Sequence, residues 1–270
     1  MGEGFLSVIG ALVNALFLAG GVYIYLALIR QIGARTEPSP IERNVRTFGL
    51  PEVILALALA VLFLGNAFVA SHPGKLVMGT NDLIANGLIS FALFAFVAAF
   101  LKLRGRSITA LAGLTRLPFW RALMTGVILL FAAYPLIFLA DLVTQRILGA
   151  PSSRQGIVDL FNDSETLQQR ALIIILAVAV APIVEEFVFR FFFYGIVRRY
   201  FGRFIGLMAN AILFAAVHAH LPSAAPLFVL GACFTLAYEW SGSILVSMTM
   251  HALFNSLTLT ALAFPDLVQQ

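Results

Sequence analysis

Three short stretches in the last third of the chain carry reactive residue types in apolar surroundings. The run Glu185-Glu186-Phe187-Val188-Phe189-Arg190 sets two carboxylates and a guanidinium inside an apolar segment. Phe214-Ala215-Ala216-Val217-His218 brings an imidazole to the end of a second, and His251-Ala252-Leu253-Phe254-Asn255 an imidazole and an amide to a third. Glu186 and Arg190, four apart, share a helix face in the order that favours an ion pair. That leaves Glu185, about 100° around the helix, as the carboxylate without a cation. Such a group can act as a general base. His251 and Asn255, also four apart, can point at a common atom. A carboxylate with an imidazole holds and deprotonates water, while a second imidazole with an amide donates to a developing oxyanion. This is the apparatus for water attack on an amide or ester carbonyl. Glu185, His218 and His251 equally match the ligand types of a catalytic zinc site with an open water position, and the residues alone leave both chemistries open. Ser247 and Ser256 have no base partner by spacing. Cys233, the single cysteine, lies in an apolar run and reads as a small buried filler.

The setting that must position these residues is a membrane. Of 270 residues, 61% are hydrophobic and 11% charged, against roughly 25% charged in a soluble chain. That excludes a soluble enzyme, a disordered chain, a collagen and a disulfide-stapled domain. Apolar windows able to cross a bilayer run over 5–29, 49–70, 82–101, 119–142, 168–197, 204–220, 225–240 and 244–264, which predicts an all-α, polytopic fold of about eight helices. The first window is too long for a signal-peptide core, and no Lys or Arg precedes it. The irregular loop 143–167 contains Asn162 and Glu165 at capping-box spacing. Pro182 removes an amide and should free the carbonyl of Val178 one turn before the carboxylates.

Basic residues concentrate in alternate loops: Arg30, Arg35, Arg43 and Arg46 in the first, Lys102, Arg104, Arg106 and Arg116 in the third, Arg198, Arg199 and Arg203 in the fifth. Those loops belong in the cytoplasm, with both termini outside. The seventh connection, Ser241-Gly242-Ser243, has no basic residue to support its side. The net charge of +4 has no clustered face and does not point to nucleic acid. Ionisable groups inside such windows are costly and signal function. His220 lies nearer a polar turn and reads as a bystander; His72 reads as a solvated loop residue.

The motifs Glu-Glu-x-x-x-Arg at 185–190, Phe-x-x-x-His at 214–218 and His-x-x-x-Asn at 251–255, in that order, resemble the CPBP family of intramembrane proteases, the CAAX proteases and bacteriocin-processing enzymes also called type II CAAX prenyl endopeptidases. The stretch Tyr238-Glu239-Trp240-Ser241-Gly242-Ser243-Ile244 looks like the connection used there. The resemblance covers roughly 168–260; the first four helices match only in number and hydropathy. It implies an endopeptidase acting within the bilayer, in a cavity between the C-terminal helices. Glu185 and His218 would activate water, His251 and Asn255 would stabilise the oxyanion, and Glu186 and Arg190 would support the site. The expectation is a glutamate-dependent hydrolase needing no metal; the alternative is zinc on Glu185, His218 and His251.

The resulting expectation is one transmembrane domain over 1–270, with N-terminal helices in 1–150 and a catalytic core in 168–264. It would lie in a plasma membrane, or an inner membrane in a prokaryote, and act on a membrane-associated or lipid-modified peptide or protein. Two other readings stand beside it: a non-catalytic bacteriocin-immunity or assembly protein of the same fold, and a proton-coupled transporter. The transporter is disfavoured because every suspicious residue falls in one half of the chain without an inverted repeat. Substrate identity and oligomeric state are not readable from the sequence.

Overall fold

A computed structural model describes residues 2–36, 41, 46–71, 79–149, 160–164 and 166–264. His72, Lys75, Arg43 and Glu165 lie outside the described residues. Within them the chain is all-helical, with no strand. The elements are α1 (Gly2–Gly33), α2 (Leu50–Ala70), α3 (Thr80–Leu103), the single turn α4 (Ile108–Leu111) and α5 (Phe119–Leu148). They continue as α6 (residues 167–201), α7 (residues 203–217), α8 (Ala224–Ser241) and α9 (Ile244–Ala263). Helices α6 and α7 come from one helical run, Leu167–Val217.

Among the described residues seven helical runs are long and apolar enough to cross a bilayer. The run Leu167–Val217 has 51 residues, and a straight helix of that length would reach about 77 Å, far beyond a hydrocarbon core of ~30 Å. It folds back at Gly202, whose φ of 84° and ψ of 175° are non-helical and suit a residue without Cβ. A Cβ on Gly206 would lie 3.0 Å from the Arg198 amide nitrogen, a proximity that only a hairpin allows. Seven helical runs therefore make the eight passes that the apolar windows predict.

Three of the boundaries that differ have a local physical reason. Helix α5 runs to Leu148 rather than 142 and ends on Gly149 in the left-handed conformation, φ 66°. Helix α7 stops at Val217 rather than 220 because Ala219 takes φ 53°. Helix α6 is capped by Thr166, not Asn162: Thr166 Oγ1 accepts from the Gln169 amide at 3.2 Å and Gln169 Oε1 from the Thr166 amide at 3.3 Å. Thr166-x-x-Gln169 is the same capping box read four residues later.

Helix α6 is also not uniformly α. Two π segments, Leu176–Val180 and Glu186–Phe193, flank the α turn Ala181–Glu185. The second lies between two apolar cores. Phe189 joins Leu129, Phe214, Phe234 and Met250 from α5, α7, α8 and α9, while Phe187, Phe191 and Phe192 join Phe48, Ala56 and Val97. Association of such helices rests on close van der Waals fit and small residues. Gly126 of α5 meets Thr249 and the Val246 carbonyl of α9, and Gly231 of α8 meets Phe214. Large side chains such as Leu16, Leu57, Val61, Ile89 and Phe138 remain exposed on the outside, where acyl chains would cover them.

One end of the bundle gathers the arginines. Arg35 donates to the Glu239 carbonyl at 3.0 Å and the Trp240 carbonyl at 2.5 Å. Arg116 donates to the Ser241 carbonyl at 3.0 Å and Arg203 to the Ile32 carbonyl at 3.0 Å. Arg104 pairs with the buried Glu52 at 3.3 Å, and the Ile244 amide bonds the Ala112 carbonyl at 3.0 Å. The first, third, fifth and seventh connections thus share one face, and the seventh, silent by charge, is placed there by its contacts. Partial burial draws the Arg35 guanidinium below its ordinary value, as do Arg116, Arg203 and Arg198, against the pull of Glu239. Arg198 is not a solvated loop charge: it is buried and pairs with Glu239 at 2.9 Å, while Tyr194 donates to the same carboxylate at 2.9 Å.

Candidate active site

The site is built where α9 lies along α6. Glu186 Oε1 is 2.9 Å from Arg190 Nη1 and 2.9 Å from His251 Nδ1. The i,i+4 ion pair read from spacing is therefore present, and fully buried. Arg190 is caged by aromatic rings, its guanidinium carbon 4.1 Å from the Phe214 centroid, 5.0 Å from Phe234 and 6.0 Å from Phe189. Ring faces attract a desolvated cation by about 2 kcal/mol. They compensate Arg190 where water cannot.

That ion pair governs His251. An ionised carboxylate only accepts, so Nδ1 of His251 carries the proton given to Glu186. Its other nitrogen, Nε2, faces Glu185 Oε2 at 3.9 Å. This is too long for a direct hydrogen bond and suits one intervening oxygen. An oxygen ~2.8 Å from both atoms would subtend roughly 90°. Glu185 keeps 30% of its side chain exposed, whereas Glu186 has none. The two adjacent carboxylates are thus separated as predicted, one locked to a cation and one open.

His218 stands at the C-terminus of α7, its Nδ1 2.7 Å from the Phe214 carbonyl. A carbonyl only accepts, so Nδ1 is the donor and Nε2 keeps the lone pair in the neutral ring. The Phe214 ring lies 4.8 Å from His218 and 5.9 Å from His251, centroid to centroid. His218 thus joins the cluster through Phe214, and among the described residues shares no hydrogen bond or ion pair with Glu185. The left-handed Ala219 turns the chain away. His220 Nδ1 lies 2.7 Å from Ser223 Oγ, within the turn that begins α8.

Asn255 donates from Nδ2 to the Ala177 carbonyl at 2.7 Å. This revises the consequence expected of Pro182. In the π register the Ala181 amide reaches the Leu176 carbonyl, so the next amide would have served Ala177 rather than Val178. Residue 182 has no amide proton, and Asn255 supplies the missing donor. One of its two N–H groups is spent this way. Ser247 lies one turn before His251 on the same face and is fully buried beside Glu186. Its i,i+4 spacing to His251 corrects the reading that no base stands at helical spacing from Ser247; Phe234 carries no such signal.

His218 and His251 both have Nδ1 engaged, as metal-binding histidines commonly do. The donor types thus suit zinc, but among the described residues no three His, Cys, Asp or Glu side chains converge as a metal site requires.

The fold and the buried cluster define a polytopic, all-helical membrane protein with carboxylate, imidazole and amide groups enclosed between its C-terminal helices. Residues 167–257, about one third of the chain, match the family described as Type II CAAX prenyl endopeptidase Rce1-like, a protease family consistent with the CPBP and CAAX proteases. The matched segment contains Glu185, Glu186, Arg190, His218, His251 and Asn255. No curated protein and no solved structure matches the chain.

Proposed function

We propose that the protein is an intramembrane endopeptidase that hydrolyses a peptide bond of a membrane-associated or lipid-modified substrate with water activated by Glu185 and His218. The observation that carries this reading is the pairing of an uncommitted carboxylate, Glu185, with an imidazole, His251, whose far nitrogen is anchored on Glu186. Glu185 takes a proton as water oxygen bonds to the carbonyl carbon, with His218 Nε2 accepting a hydrogen bond from that water. His251, held through Nδ1 by Glu186, stabilises the oxyanion together with the second N–H of Asn255. Collapse of the intermediate breaks the C–N bond, and the amine leaves with the proton held by Glu185.

The shared face of the alternate basic loops, read by the positive-inside rule, supports an orientation with that face in the cytoplasm and both termini outside. The test is cleavage of a diverse peptide library by purified protein in liposomes, read by mass spectrometry. Wild type, Glu185→Gln and His218→Ala would each be run with and without a strong chelator. Cleavage lost in both variants and retained under chelation is the expected result. Loss on chelation with recovery on zinc would replace the mechanism with a metal-assisted one. Unimpaired cleavage by Glu185→Gln would refute it.

A further inference from the structure

The arginine-rich end of the bundle carries a feature that the peptidase cluster does not use. A cleft of about 560 Å³ opens between the start of α5 and the end of α8, lined by Arg116, Trp120, Arg121, Met124, Ile128 and Trp240 among others. Its lining holds two guanidiniums and no carboxylate. Arg121 lies over the Trp120 ring, 5.3 Å from its centroid, and has no acidic partner among the described residues. Arg116 spends Nε on the Ser241 carbonyl and, among the described residues, has no acidic partner. Helix α5 also opens here without a side-chain cap on Pro118, so its unpaired first amides and dipole add to the positive field.

Below this charged rim the cleft becomes apolar. Positions 121, 124 and 128 follow one face of α5 inward over about 10 Å, and Met124 and Ile128 are 47% and 60% exposed. Two tryptophans flank the transition, the usual place for that residue at a membrane interface. A soluble phosphate would use the rim and leave the apolar wall unmatched. We propose that this cleft binds an anionic phospholipid, its headgroup phosphate on Arg116 and Arg121 and the upper part of an acyl chain along Met124 and Ile128. The bound lipid would bear on the peptidase helix. Gly126, between these positions, touches α9 at Val246 and Thr249, and Arg116 holds the turn that begins α9.

The test uses the full chain in mild detergent, supplied with equal amounts of phosphatidylglycerol and phosphatidylcholine of identical acyl chains, with retained lipid read by native mass spectrometry. Wild type should retain the anionic lipid at least about fivefold over the zwitterionic one, the weight of a single basic residue near an anionic membrane surface. Arg121→Gln should remove most of that preference. Met124→Trp, which keeps both charges and fills the cleft, should reduce retention of the lipid itself. Arg199→Gln should change nothing: it too removes an exposed arginine stacked on an aromatic ring, Tyr200 at 5.2 Å, but outside the cleft. Thermal melts verify that each variant is folded, and Trp120→Ala replaces any that is not. Equal retention of the two lipids, or equal effects of Arg121→Gln and Arg199→Gln, would overturn the proposal. So would displacement by equimolar inorganic phosphate or by a peptide with a free C-terminal carboxylate, which would make the cleft an anion or a peptide site.

Discussion

Replacing Glu186 with Gln keeps the shape of the side chain and removes its charge. Arg190 then loses the carboxylate 2.9 Å away and stays fully buried. Two opposite charges about 4 Å apart interact by ~4 kcal/mol at an effective dielectric of 20, and removing one partner of a buried pair costs about 3–5 kcal/mol. Aromatic faces at 4.1 and 5.0 Å persist, so the lower half of that range, about 3–4 kcal/mol, is the expected loss for Glu186→Gln. Arg190→Met leaves Glu186 bonded to His251 and should cost less, about 2–3 kcal/mol. Once Glu186 is neutral, Arg190→Met removes an uncompensated cation, so the double variant should lose no more than Glu186→Gln alone. The assay is a double-mutant cycle of unfolding free energy for the protein in lipid or mild detergent. A coupling energy of at least about 2 kcal/mol is expected. Additivity within about 0.5 kcal/mol would show that the two groups do not depend on each other and would refute the reasoning.

Glu185→Gln should leave stability within about 1 kcal/mol, since the side chain is partly exposed and holds no direct bond, while lowering peptide cleavage at least ~100-fold; thermal melting and the liposome assay separate the two effects. Asn255→Leu should strand the Ala177 carbonyl and cost about 1–2 kcal/mol, read by the same unfolding assay. Gly202→Ala meets no atom within 4 Å, so its cost of about 1–3 kcal/mol, read by thermal melting, would be conformational alone, because φ 84° with ψ 175° is a region essentially reserved to glycine. Cleavage by wild type should survive a strong chelator; its loss, with recovery on zinc, would favour the alternative ligand reading.

The contrast between Glu185 and Glu186 is legible in the sequence because a helix converts four residues of separation into contact, and Arg190 has to be neutralised somewhere in a bilayer. The eight passes are legible for a related reason, through the length an apolar segment needs. The π register is not. Nothing in a 3.6-residue period marks where a helix widens, so spacing assigns the carbonyl released by Pro182 to Val178 instead of Ala177. Arg198 reads as a loop charge because its partner, Glu239, lies 41 residues away. Depth misleads too: counting α rises sets His251 well short of Glu186. Two features narrow that gap. π turns rise less per residue, and the turn before α9 is buried under residues 112–116 rather than projecting.

A π turn amounts to one residue more than an α-helix needs, absorbed without breaking the rod. The segment Leu176–Val180 therefore sets the phase of everything after it. Deleting Ala179 would let the chain relax into plain α-helix with Glu185, Glu186 and Arg190 left close to their present face, because the widened turn already absorbs that residue. Holding every residue in plain α geometry would instead advance the cluster by about 100° and ~1.5 Å relative to Ala177, and His251 would no longer face Glu186. In this helix the widened turn takes up a surplus residue, and the facing of the reactive groups depends on a segment that itself carries none.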